Sequence, residues 1–170
     1  RQQRDIAEAG RRPGERRQVV LWGESIGSGV AVALLDDETT GADGAPPADT
    51  ALVLEAGFSS CVDLGANAYP FLPVRLLLRD RFDSAGRAQK TAERFGEDAG
   101  VPALSLHGEL DEIAPLEFGQ ALFDVLPSRA KRMVVLPETG HNDVPYVDTV
   151  RYLDEVAEFL SSDVLEVRED

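Results

Sequence analysis

The run Gly23-Glu24-Ser25-Ile26-Gly27-Ser28-Gly29 follows the apolar residues Val19-Val20-Leu21-Trp22 and constrains the fold more than any other stretch of the chain. A serine with glycine two residues before and after it fits a tight strand-to-helix turn that pushes the hydroxyl into solvent. Such a turn imposes strained backbone angles on the serine, and side chains at positions 23 and 27 are expected to collide with the neighbouring strand and helix. The flanking pattern agrees. Residues Gln18 to Trp22 form a short, almost wholly apolar run, as in a parallel strand covered on both faces, whereas Ile26, Val30, Ala33 and Leu34 recur at helical spacing and are expected to form the buried face. A phosphate-binding loop also uses glycine and serine. Here, however, Gly23, Gly27 and Gly29 read G-x-x-x-G-x-G rather than G-x-G-x-x-G, and no Lys follows, which makes a nucleotide-binding α/β domain the second reading.

Further strands are expected at Ala51 to Leu54, Pro102 to His107 and Arg132 to Leu136. Between them lie helix candidates: Arg87 to Asp98, closed by Gly100; a helix with Pro115 in its first turn and Phe118, Ala121, Leu122 and Val125 at helical spacing; and Pro145 to Leu160, expected to bury Val150, Leu153, Val156, Ala157 and Leu160. Arg1 to Gly10 is a weaker candidate, polar and short. Residues 36–49 lack apolar periodicity and read as a flexible loop insertion. The proline-broken segment Tyr69 to Leu78 reads as an irregular helical pair on the core, with an acyl-binding lid or membrane-contact patch as the alternative. Strands alternating with helices imply an α/β fold, about four parallel strands flanked by helices. In such sheets chemistry sits at the carboxyl ends of strands, which selects Ser25, Glu55 to Ser60, His107 to Asp111, and Gly140 to Asn142.

A length of 170 residues with 43% hydrophobic side chains suits one domain spanning residues 1–170. The net charge of −14 and pI near 4.5 argue against nucleic acid as a partner, since phosphate backbones need a basic face. Arg11, Arg12, Arg16 and Arg17 are the local exception and read as a solvated loop. One cysteine, Cys61, excludes an intramolecular disulfide. The sequence contains no apolar run of membrane-spanning length and no signal-peptide pattern at Arg1-Gln2-Gln3-Arg4. A cytoplasmic or peripheral membrane location is expected, with N-terminal targeting information outside this segment.

A serine hydroxyl needs a base to act as a nucleophile at neutral pH, and histidine is the usual one. The chain has two. His141, in a polar loop after the last strand, is the preferred base; His107 has the bland reading of a structural histidine bonded to backbone. Asp111 is the best carboxylate to orient the base, although by itself it could equally cap the helix near Pro115. The chain order Ser25, Asp111, His141 supports this choice. Two histidines and one cysteine far apart in sequence do not form a metal-ligand pattern.

The sequence resembles the α/β-hydrolases, in the serine-aminopeptidase-like branch that includes lysophospholipases, acyl-protein thioesterases and the bud-emergence hydrolases of fungi. The matching residues are Gly23 to Gly29, Leu54-Glu55-Ala56-Gly57-Phe58-Ser59-Ser60, Asp80-Arg81-Phe82-Asp83-Ser84, His107-Gly108-Glu109-Leu110-Asp111-Glu112-Ile113-Ala114-Pro115 and Gly140-His141-Asn142-Asp143. The resemblance implies Ser25, Asp111 and His141 as a catalytic triad and the backbone N–H of Ile26 as one oxyanion-hole donor. It implies cleavage of an ester, thioester or amide bond of a small-molecule or acyl substrate, with no metal or cofactor and with a membrane surface as a candidate partner. The departure is at the front, where the family has earlier strands and the loop giving a second oxyanion donor. The chain is therefore expected to be the C-terminal portion of a larger hydrolase, and a non-catalytic hydrolase-like protein is the third reading.

Overall fold

A computed structural model describes residues 19–37, 50–79, 81–96, 101–128 and 130–161. Strand β1 (Val19–Glu24) leads through Ser25 into helix α1 (Ile26–Asp37), followed by β2 (Thr50–Glu55), α2 (Cys61–Ala68), the short α3 (Val74–Leu77), α4 (Ser84–Phe95), β3 (Ala103–Gly108), α5 (Leu116–Val125), β4 (Lys131–Leu136) and α6 (Thr149–Glu158). The four strands form one sheet in the order β1-β2-β3-β4. All pairs are parallel, with Val19 opposite Thr50, Leu52 opposite Ala103, and Ala103 opposite Lys131. The sequence expectation of about four parallel strands flanked by helices therefore holds.

Alternation along β2 explains how both faces are covered. Ala51 and Val53 join Leu104, Leu106, Val134 and Leu136 under α6, where Tyr152, Val156 and Phe159 are buried. On the opposite face Leu52, Leu54 and Ala103 pack against Ala31, Val32 and Leu35 of α1, Ala88 of α4 and Leu122 of α5. Every residue of β2 and β3 is buried, which is why these strands read as unbroken apolar runs.

The helices differ from the sequence expectation in which face they bury. In α1, Ile26 and Val30 are half exposed, while Ala31, Val32 and Leu35 are buried. The helix approaches the rest of the molecule through its small residues instead. Ser28 is fully buried, and a Cβ at Gly57 would lie 3.1 Å from its hydroxyl; a Cβ at Gly29 would lie 2.9 Å from Ser84 Oγ. Because Leu35 is held in the core, α1 continues through Asp37, two residues into the expected loop. The rest of that loop, 38–49, lies outside the described residues, as do residues 1–18, the Arg11 to Arg17 cluster and Gly100. Gly96 caps α4, at a φ of 92°.

Three further expectations are corrected. Helix α6 starts at Thr149, not Pro145, because the Asp148 carboxylate accepts the Arg151 N–H and caps it there. Its Val150, Leu153 and Ala157 are exposed, since the helix is turned to bury Tyr152, Val156 and Phe159. Pro115 occupies the N-cap of α5 rather than its first turn, and Ala121 is exposed. The Tyr69 to Leu78 segment does contain α3 beside α2, but it does not sit on the core. Val74 alone is buried there, in a groove left by Gly65, where a Cβ would meet Val74 Cγ1 at 2.8 Å.

Candidate active site

The site is assembled at the carboxyl ends of β1, β3 and β4. Ser25 sits at the end of β1 with a φ of 51°, in the left-handed region that costs a non-glycine residue energy. Two bonds hold it there. Its N–H donates to the Glu55 carbonyl at 2.8 Å, and its own carbonyl accepts the Ser28 N–H at 3.0 Å. The chain before it comes very close to α1: a Cβ at Gly23 would meet the Gly27 carbonyl oxygen at 2.5 Å. Around Gly27 there is open space, so of the two glycines expected to be required by crowding, only Gly23 is.

From β4 the chain turns through Thr139 and Gly140 to His141. This loop can lie against the end of β3 because residue 108 is glycine, whose Cβ would otherwise meet the Thr139 carbonyl at 2.3 Å. Leu110 N–H donates to the same carbonyl at 2.9 Å. The consequence is that three distant side chains meet. His141 Nε2 lies 2.8 Å from Ser25 Oγ, and His141 Nδ1 lies 2.7 Å from Asp111 Oδ2. An ionised carboxylate can only accept, so Nδ1 carries the proton, and the lone pair of Nε2 receives the serine hydroxyl. Asp111 is also held from its other oxygen, which accepts the N–H groups of Ile113 at 3.0 Å and Ala114 at 2.7 Å. It thus contacts the imidazole with one oxygen and closes the turn before α5 with the other. Ile26 is the first residue of α1, where the N–H has no carbonyl one turn earlier within the helix.

His107 is fully buried and does not reach Ser25. Its Nε2 lies 2.8 Å from the Ala114 carbonyl and 3.4 Å from Asp111 Oδ2, and its Nδ1 has no hydrogen-bond partner. Since a carbonyl cannot donate, the proton is on Nε2. Burial pushes its pKa down, against the upward pull of the Ala114 carbonyl and of Asp111. The ring is therefore a neutral donor behind the carboxylate. Gly119 makes room for it, as a Cβ there would meet Nδ1 at 2.4 Å.

Sequence reasoning did not anticipate a second polar cluster beneath the serine. Glu55, buried at the end of β2, accepts Trp22 Nε1–H at 2.6 Å and Tyr152 Oη–H at 2.5 Å on one carboxylate oxygen. Its backbone carbonyl is the one that holds Ser25. A carboxylate ending a buried strand beside the chain's single tryptophan was the available signal. Among the described residues, no three His, Cys, Asp or Glu side chains gather as a metal site would require.

No protein-family model matches the chain. Individual proteins do. An uncharacterized protein of Mycobacterium tuberculosis is 35% identical over 144 residues, 85% of this chain and 45% of that protein. Protein bem46 of Schizosaccharomyces pombe is 28% identical over 148 residues, 86% of this chain and 44% of its own length. The lysophosphatidylserine lipase ABHD12 of Danio rerio is 34% identical over 119 residues, 64% and 29% respectively. Among solved structures, the Pyrococcus horikoshii acylaminoacyl peptidase superposes with a TM-score of 0.60 at 15% identity, over 92% of this chain and 26% of that one. A monoacylglycerol lipase of Paleococcus ferrophilus gives 0.54 at 17% identity, over 91% and 70%. The chain has the fold of the α/β-hydrolases. It spans less than half the length of the curated relatives it matches. Within this fold the serine turn, the β3 exit and the β4 loop are the strand ends at which polar residues come together.

Proposed function

We propose that the protein is a serine hydrolase that cleaves an ester or thioester of an acyl group through Ser25, His141 and Asp111. The observation that carries this reading is the continuous line of hydrogen bonds from Ser25 Oγ through His141 to Asp111, at 2.8 and 2.7 Å, between residues far apart in sequence. In the first step the serine proton passes to His141 Nε2 as Oγ bonds to the substrate carbonyl carbon. The carbonyl electron pair moves onto oxygen, where the Ile26 N–H at the start of α1 donates to it. Asp111 keeps the imidazole in place and stabilises the imidazolium. Collapse of the intermediate expels the alcohol or thiol, which takes the proton from Nε2, and leaves an acyl group on Ser25. Water then repeats the sequence with the same base and releases the acid.

The acyl class of substrate is supported by the names of similar proteins, a lysophosphatidylserine lipase and a monoacylglycerol lipase among them. Residues 1–170 are read as one α/β-hydrolase unit, in which the Ile26 N–H is one oxyanion donor. The test is covalent labelling of the full-length protein with a fluorophosphonate. Wild type is expected to label and Ser25→Ala is not. Labelling that persists in Ser25→Ala removes Ser25 from the chemistry.

A further inference from the structure

Apolar side chains gather on the outside of the segment joining α2 to α4. Tyr69, Phe71, Leu72, Leu76 and Leu77 are all exposed, Phe71 by 78%, Leu76 by 86% and Leu77 by 65%. Tyr69 and Phe71 meet edge to face, with ring centroids 6.3 Å apart. Isolated exposed apolar residues need no explanation, but a local run of them leaves a patch in water that proteins generally use or cover. The segment is held in this posture. Val74 anchors it against Gly65, and Arg75 pairs with Asp63 at 3.6 Å.

A concentration of positive charge follows directly. A cavity of about 620 Å³ lies between α1 and α4, and among the described residues Arg79, Arg81, Arg87, Lys90 and the carboxylate of Asp83 line it. Asp80 lies outside the described residues. Phe82 belongs to the same lining, is partly exposed, and has a φ of 38°, a left-handed conformation unfavourable to a bulky residue. These cations stand out on a chain whose net charge is −14.

Exposed aromatic and leucine side chains next to clustered cations complement a bilayer bearing anionic headgroups. The apolar groups enter the boundary between headgroup and acyl chain, and the guanidinium and ammonium groups meet phosphate. We propose that the described residues of 69–90 form a docking surface for anionic phospholipid membranes, with Phe71, Leu76 and Leu77 entering the interface and Arg79, Arg81 and Lys90 receiving headgroup phosphates. This surface does not depend on the chemistry at Ser25.

Co-sedimentation of the full chain with phosphatidylcholine vesicles, with and without about 30% phosphatidylglycerol, tests it. Binding is expected to favour the anionic vesicles and to weaken with added salt. Phe71→Ser with Leu76→Ser, and separately Arg79→Gln with Lys90→Gln, are each expected to lower affinity about tenfold or more, at an unchanged Tm. Equal binding to both vesicle types, or variants that bind as wild type does, overturns the proposal. So does an apolar variant that converts a dimer to a monomer in sedimentation without altering vesicle binding, which would assign the patch to self-association.

Discussion

Gly23 and Gly27 flank Ser25 symmetrically in sequence and face opposite surroundings. Gly23→Ala would drive a methyl group to 2.5 Å from the Gly27 carbonyl, so it is expected to destabilise by about 1–3 kcal/mol, whereas Gly27→Ala is expected to be neutral or mildly stabilising. Urea denaturation of the two variants checks the contrast. His107 offers a second prediction, in pH. Its folded pKa is depressed below the ordinary 6.5, so under mild acid the unfolded chain takes up a proton that the folded one refuses. Stability is therefore expected to decline as pH falls through about 6.5 toward the folded pKa, and His107→Asn is expected to reduce that slope. An unchanged slope would contradict the buried, neutral assignment. Ser25, Asp111 and His141, which hydrogen bonds join, could be picked as candidates from sequence because two histidines and the order of strand exits leave few choices. Glu55 could not, because its role depends on Trp22 and Tyr152 arriving from other elements.

At the level of elements, Glu55 links β1, β2 and α6. Its carboxylate accepts from Trp22 and Tyr152, and its carbonyl holds the amide of Ser25, so the turn and the last helix share one support. Tyr152→Phe leaves this buried carboxylate short of a donor and is expected to cost about 1–3 kcal/mol, measured as a loss of Tm and of denaturation midpoint. The phenol itself is shifted upward, first by burial and then by the hydrogen bond to Glu55. Because the unfolded chain loses this proton near pH 10 while the folded chain keeps it, stability is expected to fall as pH rises above 10, and Tyr152→Phe is expected to lack that component. Helix positions were legible from periodicity, but helix faces were not. In α1 the close approach is made by Ser28 and Gly29, and in α6 by a tyrosine drawn to a carboxylate. Neither is visible to a count of large apolar residues.

Across the whole molecule, the parallel sheet was legible because β2 and β3 are buried on both faces and must be apolar throughout. The segment from Tyr69 to Leu78 was misjudged for the converse reason: an apolar run signals burial against protein only when protein covers it, and here Val74 alone is so covered. Among the described residues β1 pairs with β2 alone, and the chain spans less than half of the curated relatives it matches. Activity is accordingly a property to measure on the full-length protein. The most direct measurement is the rate of hydrolysis of a short-chain p-nitrophenyl ester by Ser25→Ala, His141→Ala and the combined Ser25→Ala/His141→Ala/Asp111→Asn protein. If the three residues work as one unit, each single alanine variant is expected to lose about 10⁴-fold or more in kcat, and the triple variant little beyond that. Losses that multiply across the three positions, or a Ser25→Ala protein that turns over like wild type, would contradict it.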